Sequence, residues 1–316
     1  MKRFLACSGG GDKGIIMVGM LLELYKSKGK EFVTWDEMAG ISVGGILVAY
    51  ISQTTPDTFE PMMTRLKDAF MENKIKVIKK WGWGGQFLNF VNAFMFHSSL
   101  YSNQNLVHTI HDWFDESKVY CPFSVGAYNK TLAEYETFSS SEHVGHMSKA
   151  ILASASIPVV LPEVKIGSHM YQDGGMRHLI PVVEIKKWLH KMKDAGPKHI
   201  DILVCYPIHK FDAFIKMSAP MVRYDLVNES TRMVTDLMLE QLEMDLREIA
   251  DICGVSFEEI HQTPCGRFEF GDTVVQILSP ASGHFTSMLS MSKQQNKEYF
   301  DSGVEIAKEY TTSLKL

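Results

Sequence analysis

The sequence lacks the cysteine patterns that mark disulfide frameworks and metal sites. Its five cysteines are odd in number, scattered, and contain no Cys-x-x-Cys pair: Cys7, Cys121, Cys205, Cys253 and Cys265. We therefore expect reduced, mostly buried thiols, with no metal and no other cofactor. The chain also lacks a basic excess, with 32 lysines and arginines against 37 aspartates and glutamates and a net charge of −5. Because nucleic-acid binding needs cations to meet phosphates, we expect no nucleic-acid partner.

Long hydrophobic runs are missing as well. No stretch approaches the roughly 18 uninterrupted apolar residues of a transmembrane helix. The start, Met1–Cys7, faintly resembles a lipoprotein signal, but its apolar part is too short and we predict a strand there. No repeat or low-complexity linker divides the 316 residues, and 45% hydrophobic content suffices for one large core. These observations predict a single domain over residues 1–316, located in the cytoplasm or peripherally at a membrane surface.

The pentapeptide Gly40-Ile41-Ser42-Val43-Gly44 has the Gly-x-Ser-x-Gly spacing of a nucleophile elbow. The preceding stretch is predicted to end in a strand, and residues 43–52 are apolar enough for a buried helix. Small flanking residues let strand and helix approach without a Cβ clash, so the serine hydroxyl can project into a cleft. On its own this motif is common, and an ordinary glycine-rich turn remains an alternative.

A glycine run precedes the elbow. Gly9, Gly10 and Gly11 stand between a predicted strand (residues 3–8) and a predicted helix (residues 15–25). In this geometry, unpaired N–H groups at a helix start can hold an anion. The same stretch satisfies Gly9-x-Gly11-x-x-Gly14, a dinucleotide fingerprint, so a nucleotide-binding α/β module is an alternative. A Walker-type loop is excluded, because no Lys-Ser or Lys-Thr pair follows.

The sequence offers two bases for the serine. His284 follows the predicted strand 272–278 and would complete a triad in the order Ser, acid, His. Asp173 stands before Gly174 and Gly175, on a turn where backbone can pack closely against another loop. A simple Asp-Gly hairpin turn is the other interpretation of that site. Spacing alone does not choose between these bases.

Four ordered motifs resemble the patatin-like phospholipases. Gly9–Gly14 is similar to the oxyanion loop of that family, and Gly40–Gly44 to its nucleophile elbow. Ala153–Pro158, with Pro162 just beyond, resembles the Ala-Ser-rich block before the catalytic acid. Asp173–Gly175 matches the Asp-Gly-Gly/Ala motif. The resemblance covers roughly the first three-fifths of the chain, and four matches in order are specific.

The resemblance implies a Ser-Asp dyad without histidine. Ser42 would be the nucleophile and Asp173 its side-chain partner, while the N–H groups of Gly10 and Gly11 would hold the oxyanion. Lys13 takes the place of a basic residue that is more often arginine, and would orient the loop or the substrate less rigidly. Ser8 stands where an aspartate is common. The other matched positions are glycines: Gly9, Gly14, Gly40, Gly44, Gly174 and Gly175.

The resemblance also implies a fold and a substrate class. We expect a three-layer α/β/α sandwich with a mainly parallel central sheet, which agrees with strands that alternate with helices along the chain. The implied activity is hydrolysis of carboxylic esters in phospholipids or related glycerolipids, through an acyl-enzyme intermediate.

The segment 74–100 changes in composition. Four lysines (Lys74, Lys76, Lys79 and Lys80) precede a cluster of aromatic residues: Trp81, Trp83, Phe87, Phe90, Phe94 and Phe96. Basic residues beside aromatic ones suit a membrane interface, so Lys74–Phe96 is a candidate for peripheral lipid contact. A cap folded over the active site, with its aromatic side chains in the core, explains the composition equally well.

The rest of the chain is predicted to be scaffold. The predicted strands cover residues 123–129, 134–139, 200–205 and 272–278. The predicted helices cover residues 57–72, 147–153, 180–194 and 223–253. In the last helix, Met233, Met238 and Met244 are predicted to fill the core rather than to form a lipid-binding stripe.

Overall fold

A computed structural model describes residues 1–72, 79–80, 99, 101–208, 226–262, 264–281 and 292–313. For residues 79–80, 226–232 and 313 it describes the backbone alone. His284 lies outside the described residues, and so does most of the segment 74–100. The predicted roles of His284 and of Lys74–Phe96 therefore stay predictions.

The chain alternates between strands and helices. The strands are β1 (Lys2–Cys7), β2 (Glu37–Ile41), β3 (Lys79–Lys80), β4 (Tyr101–Ser102), β5 (Phe123–Asn129), β6 (Glu134–Ser139), β7 (Val164–Ile166), β8 (His169–Asp173), β9 (Lys198–Leu203), β10 (Cys265–Phe270) and β11 (Thr273–Leu278). The helices are α1 (Gly14–Lys28), α2 (Val43–Ile51), α3 (Phe59–Met71), α4 (Gln104–Trp113), α5 (Met147–Ser154), α6 (Val182–Lys191), α7 (Leu226–Cys253), α8 (Phe257–His261) and α9 (Lys293–Ser313).

One large sheet organises the described part of the chain, with strand order β10-β11-β9-β1-β2-β5-β8-β7 and β6 paired to β5. The five consecutive strands from β11 to β5 are parallel, and the antiparallel pairs lie toward the two edges. Helices flank the sheet, so the predicted α/β class with a mainly parallel central sheet is confirmed. The carboxyl ends of β1 and β2 meet, because Cys7 pairs with Gly40.

The central strands are buried, as parallel strands covered by helices must be. All six residues of β9 are buried, and in β1 only Lys2 is exposed. Helix α6 covers β1 through Trp188, whose ring lies 5.2 Å from that of Phe4. Helices α1 and α9 approach each other closely at Gly19 and Gly303, where a Cβ would collide with the backbone of the opposite helix.

A buried charged cluster joins Arg3, near the start of β1, to β9. Asp201 accepts hydrogen bonds from Arg3 at 2.6 Å and Trp35 at 2.8 Å, and its other oxygen lies 2.9 Å from His199. Burial acts to raise the pKa of Asp201, but these bonds and the Arg3 charge outweigh it and lower that pKa. The carboxylate is thus satisfied as a charged group inside the core.

The structure agrees with most predicted elements and corrects a few. Strands β5 and β6 have the predicted bounds. The hairpin-turn interpretation of Asp173 is wrong, because β8 ends there and a short 3₁₀ turn, Gly174–Met176, follows. The prediction for the methionines holds only for Met238, since Met233 and Met244 are exposed. Among the described residues, no helix combines the length and the apolar character needed to cross a bilayer.

Candidate active site

The elbow forms where β2 passes into α2. Ser42 lies between them with φ 55° and ψ −124°. Residues other than glycine rarely have a positive φ, so this backbone is strained. Gly40 and Gly44 pack so closely that a Cβ on Gly40 would meet the Gly44 carbonyl. A Cβ on Gly44 would in turn strike the backbone at Cys7. The strand and the helix can therefore meet at this turn only with glycine at both positions.

Ser154 fixes the backbone of the elbow. The Ser42 N–H donates a hydrogen bond of 2.9 Å to the Oγ of Ser154, the last residue of α5. Ser154 is wholly buried, and Ser42 is 4% exposed. Because α2 begins at Val43, its positive dipole end lies beside the Ser42 side chain. The Ala-Ser block thus contacts the serine directly, which its sequence pattern did not indicate.

Asp173 reaches the same place from the end of β8. Strand β8 pairs with β5, which pairs with β2, so the carboxylate and the serine come from strands separated by one neighbour. The Asp173 N–H donates to the Ser156 carbonyl at 2.9 Å, and its Oδ1 accepts from the Gly175 N–H at 2.8 Å. Its Oδ2 has no hydrogen-bond partner of standard geometry within the described part of the chain.

Burial makes the Asp173 carboxylate unusually basic. Its side chain is fully enclosed, and desolvation raises its pKa to about 7. The Ser42 hydroxyl lies close enough to lower the pKa of Asp173, as does the Gly175 N–H, but neither offsets the burial. The group can therefore exchange a proton near neutral pH, and the serine hydroxyl is its neighbour.

The glycine loop runs past the serine from the end of β1. The Gly9 N–H donates to the Leu179 carbonyl at 2.9 Å. The N–H groups of Gly10 and Gly11 donate no hydrogen bond to any residue in the described ranges. Gly11 has φ 58°, which favours glycine, and a Cβ on Gly9 would lie 3.4 Å from the Ser42 Cβ. Two unused backbone donors thus lie in the loop beside the serine.

Lys13 is a buried cation at the end of this loop, just before α1. Its side chain is 1% exposed, and its Nζ lies 5.1 Å from the centre of the Tyr206 ring. Burial lowers the pKa of Lys13 to about 8, although Cys205 and Asp12 act in the opposite direction. The ammonium form still predominates at pH 7, so Lys13 brings a positive charge close to the loop.

An apolar pocket opens beside Ser42. It lies between α1, α2, α3 and α4, with Gly11 and Asp12 of the glycine loop also at its wall. Its apolar lining consists of Val18, Val43, Ile46, Leu47, Leu66, Phe70, Leu106, Trp113, Ala155 and Ile157. Such a lining matches a hydrocarbon chain in chemistry and offers few polar partners to water.

A hydrogen-bonded pair, the partly buried His178 and the buried Asp245, supports the segment that follows Asp173. His178 Nδ1 donates to Asp245 Oδ1 at 2.7 Å, and the Asp245 side chain is 1% exposed. Burial raises the pKa of Asp245 to about 6, against the effect of His178. Burial acts to lower the pKa of His178, but the bond to Asp245 raises it overall. Sequence reasoning missed both residues, although Asp245 is an acid that falls on the apolar face of α7, at helical spacing from Leu242 and Ile249.

The structure brings most of the predicted site residues together. Ser42 and Asp173 are neighbours, and Gly10 and Gly11 lie in the adjoining loop with Lys13 behind it. Gly14 begins α1, and a Cβ there would collide with Val43. The remaining motif glycines, Gly9, Gly40, Gly44, Gly174 and Gly175, all pack against backbone or side chains of this region. No cluster of metal-ligating side chains occurs among the described residues.

Comparison with known proteins identifies a family for this chain. The model of a family described as "Patatin-like phospholipase" matches residues 5–185. No curated protein sequence matches significantly. Among solved structures, VipD from Legionella pneumophila is similar with a TM-score of 0.44 and 11% identity, over 99% of this chain and 67% of VipD. A human GIVD cytosolic phospholipase A2 is similar with a TM-score of 0.37 and 8% identity. The match covers 99% of this chain and 58% of the phospholipase chain.

Proposed function

Because the chain belongs to the patatin-like phospholipase family, whose activity is lipid acyl hydrolysis, we propose that Ser42 is its nucleophile and Asp173 its general base. One observation carries this assignment. A serine on a strained elbow has a fully buried carboxylate as its neighbour, and the same serine lines an apolar pocket. An ester with a long acyl chain fits this arrangement, since the chain would enter the pocket while the carbonyl stays at Ser42.

The proposed cycle is acyl transfer through a covalent intermediate. The Ser42 oxygen attacks the ester carbonyl while Asp173 accepts the hydroxyl proton, and the carbonyl oxygen becomes an anion. The unused N–H groups of Gly10 and Gly11 hold that anion, and the Lys13 charge favours it. The alcohol leaves with the proton from Asp173. Water then attacks the acyl-enzyme with Asp173 again as base, which releases the fatty acid and regenerates Ser42.

The substrate is a phospholipid or related glycerolipid, in keeping with the family and the apolar pocket. We propose that residues 1–316 act as one hydrolase domain, because β9, β10 and β11 join the same sheet although they follow the matched residues 5–185. Helix α7 likewise contributes Asp245 to the surroundings of Asp173.

A fluorophosphonate probe tests the function directly. We expect covalent labelling of the protein, with peptide mapping that assigns the adduct to Ser42, and release of free fatty acid from phosphatidylcholine vesicles. The competing nucleotide-binding function predicts no labelling and retention of a dinucleotide in equilibrium dialysis. Labelling of a different serine, with Ser42 unmodified, would contradict the assignment. Comparison with Ser42→Ala in the vesicle digestion identifies fatty acid release by contaminants.

The pH dependence follows from the two perturbed groups. Asp173 must be unprotonated to act as base and its pKa is about 7, so kcat/KM should fall about tenfold per pH unit below that value. Lys13 loses its charge above a pKa of about 8, so kcat/KM should also fall on the alkaline side. We expect a bell-shaped profile with a soluble short-chain ester between pH 5 and 10. In Lys13→Arg the alkaline limb should disappear while the acid limb stays; an acid limb near pH 4 would contradict the raised pKa of Asp173.

A further inference from the structure

Asp245 contacts two consecutive backbone N–H groups in the segment that follows Asp173. Its Oδ2 accepts from Leu179 at 2.5 Å and from Ile180 at 2.8 Å, while Oδ1 accepts from His178. Three donors on adjacent residues therefore converge on one buried carboxylate. A buried N–H group that loses its acceptor also loses its compensation for leaving water, so this contact constrains the backbone conformation of the segment.

Leu179 connects that carboxylate to the glycine loop. Its N–H is bound by Asp245, and its carbonyl accepts the N–H of Gly9 at 2.9 Å. The side chain of Leu179 also packs on both catalytic motifs, since its Cδ1 would lie 2.8 Å from a Cβ on Gly9 and 3.1 Å from one on Gly175. One residue thus touches the glycine loop and the turn after Asp173.

The same segment is continuous with Asp173. The Gly174 carbonyl accepts hydrogen bonds from the N–H groups of Arg177 at 2.9 Å and His178 at 3.0 Å, which closes a compact turn. Helix α7 packs on this turn through Met238 as well, whose Cε would lie 3.0 Å from a Cβ on Gly175. A displacement of the residues bound to Asp245 would therefore reach both Asp173 and the glycine loop.

We propose that Asp245, with His178, is a positioning residue for the hydrolysis: through Leu179 it holds Gly9 in place and so aligns the N–H groups of Gly10 and Gly11. This inference rests on the proposed function of Ser42 and Asp173. Asp245 touches no reacting atom. It belongs to α7, outside the matched residues 5–185, so this chain completes the support of its loop with a residue beyond the family motifs.

Substitutions at Asp245 separate positioning from stability. Asp245→Leu removes all three acceptor contacts, and we expect kcat for a soluble ester to fall about 10²-fold with little change in KM. Asp245→Asn keeps an acceptor for Leu179 and Ile180, and its amide can donate to a neutral His178, so kcat should return to within about tenfold of the wild type. The matched control is Asp201→Asn, a buried carboxylate on β9 whose hydrogen-bond partners are Arg3, Trp35 and His199, and this variant should be less stable but have an unchanged kcat.

Amide hydrogen exchange supplies a readout that needs no turnover. In Asp245→Leu, the Gly9 N–H should lose protection while amides of β5 keep theirs. Unchanged kcat or unchanged Gly9 protection in a folded Asp245→Leu protein overturns the inference, as does equal loss of kcat in Asp245→Asn and Asp245→Leu. Failure of the proposed function is a separate result: the wild type itself would not react with a fluorophosphonate at Ser42, and Asp245 would then have no reaction to support.

Discussion

Replacing Ser42 with alanine is expected to lower kcat/KM for a lipid ester by about 10⁵- to 10⁶-fold, because no acyl-enzyme can form without the nucleophile. Binding should survive, since the apolar pocket and the glycine loop are unchanged. The alanine has to adopt the same left-handed conformation as Ser42, and the hydrogen bond from residue 42 N–H to Ser154 persists. Fluorophosphonate labelling and fatty acid release measure the loss of the nucleophile, and lipid binding to the inactive protein measures the retained affinity.

Ser52→Ala is the matched control for this variant. Ser52 is a buried serine directly after the other end of α2, and its hydroxyl donates to the Ala49 carbonyl at 2.7 Å. Its loss should affect stability by about 1 kcal/mol and leave hydrolysis intact. Residual activity of Ser42→Ala within tenfold of the wild type would remove Ser42 from the mechanism.

Replacing Asp173 with asparagine is expected to lower kcat/KM by about 10²- to 10⁴-fold, the usual contribution of a general base. Asparagine has the same shape and can still accept the Gly175 N–H through its carbonyl oxygen, so the turn should persist. It cannot take the Ser42 proton. Single-turnover measurements should locate the loss in acylation, with KM little changed.

The pKa of Asp173 predicts the direction in which Asp173→Asn changes the stability of the fold. The pKa of Asp173 is about 7 when folded and near 4 when unfolded, so the folded state prefers the protonated acid. The stability that the neutral acid contributes is present below pH 4 and is lost as the pH rises through 7. At pH 8 the uncharged Asp173→Asn protein should therefore be at least as stable as the wild type in urea unfolding.

His284→Ala distinguishes the dyad from a triad. If Asp173 alone serves as base, His284→Ala should hydrolyse esters at the wild-type rate. An active Asp173→Asn protein together with an inactive His284→Ala protein would establish the triad instead. A loss of activity in both variants would assign His284 a part in the reaction beside Asp173.

Local sequence patterns predicted the scaffold well. A buried strand, a glycine turn and an apolar helix occur twice in the first 51 residues, and each pattern depends only on near neighbours. The antiparallel pair β7 and β8 was not predicted, because Val164–Ile166 is short and Asp173 looked like part of a turn. Burial on folding, and not local propensity, decides whether such short segments form strands.

The chemistry of the site was less accessible from sequence. A motif can name Asp173, but its basicity arises from the enclosure that the folded chain provides. Likewise no residue near His178 in the sequence indicates that Asp245 is its partner. Asp245 lies 67 residues later, and the two side chains meet only in the folded structure. A polar residue on the apolar face of a long helix was the available signal, and its partner could not be read from spacing.

The position of β1 in the sheet makes the surroundings of the glycine loop depend on segments that are synthesised much later. The glycine loop follows β1, and one of the two strands that pair with β1 is β9. Lys2 can therefore pair on that side only after Lys198 has been synthesised. Asp245 is made later still. Pairing between such distant segments is slow and comes late in folding. In a growing chain, the sheet beside the glycine loop is therefore completed only after β9 has been synthesised, and the contact of Asp245 with Leu179 forms only after α7.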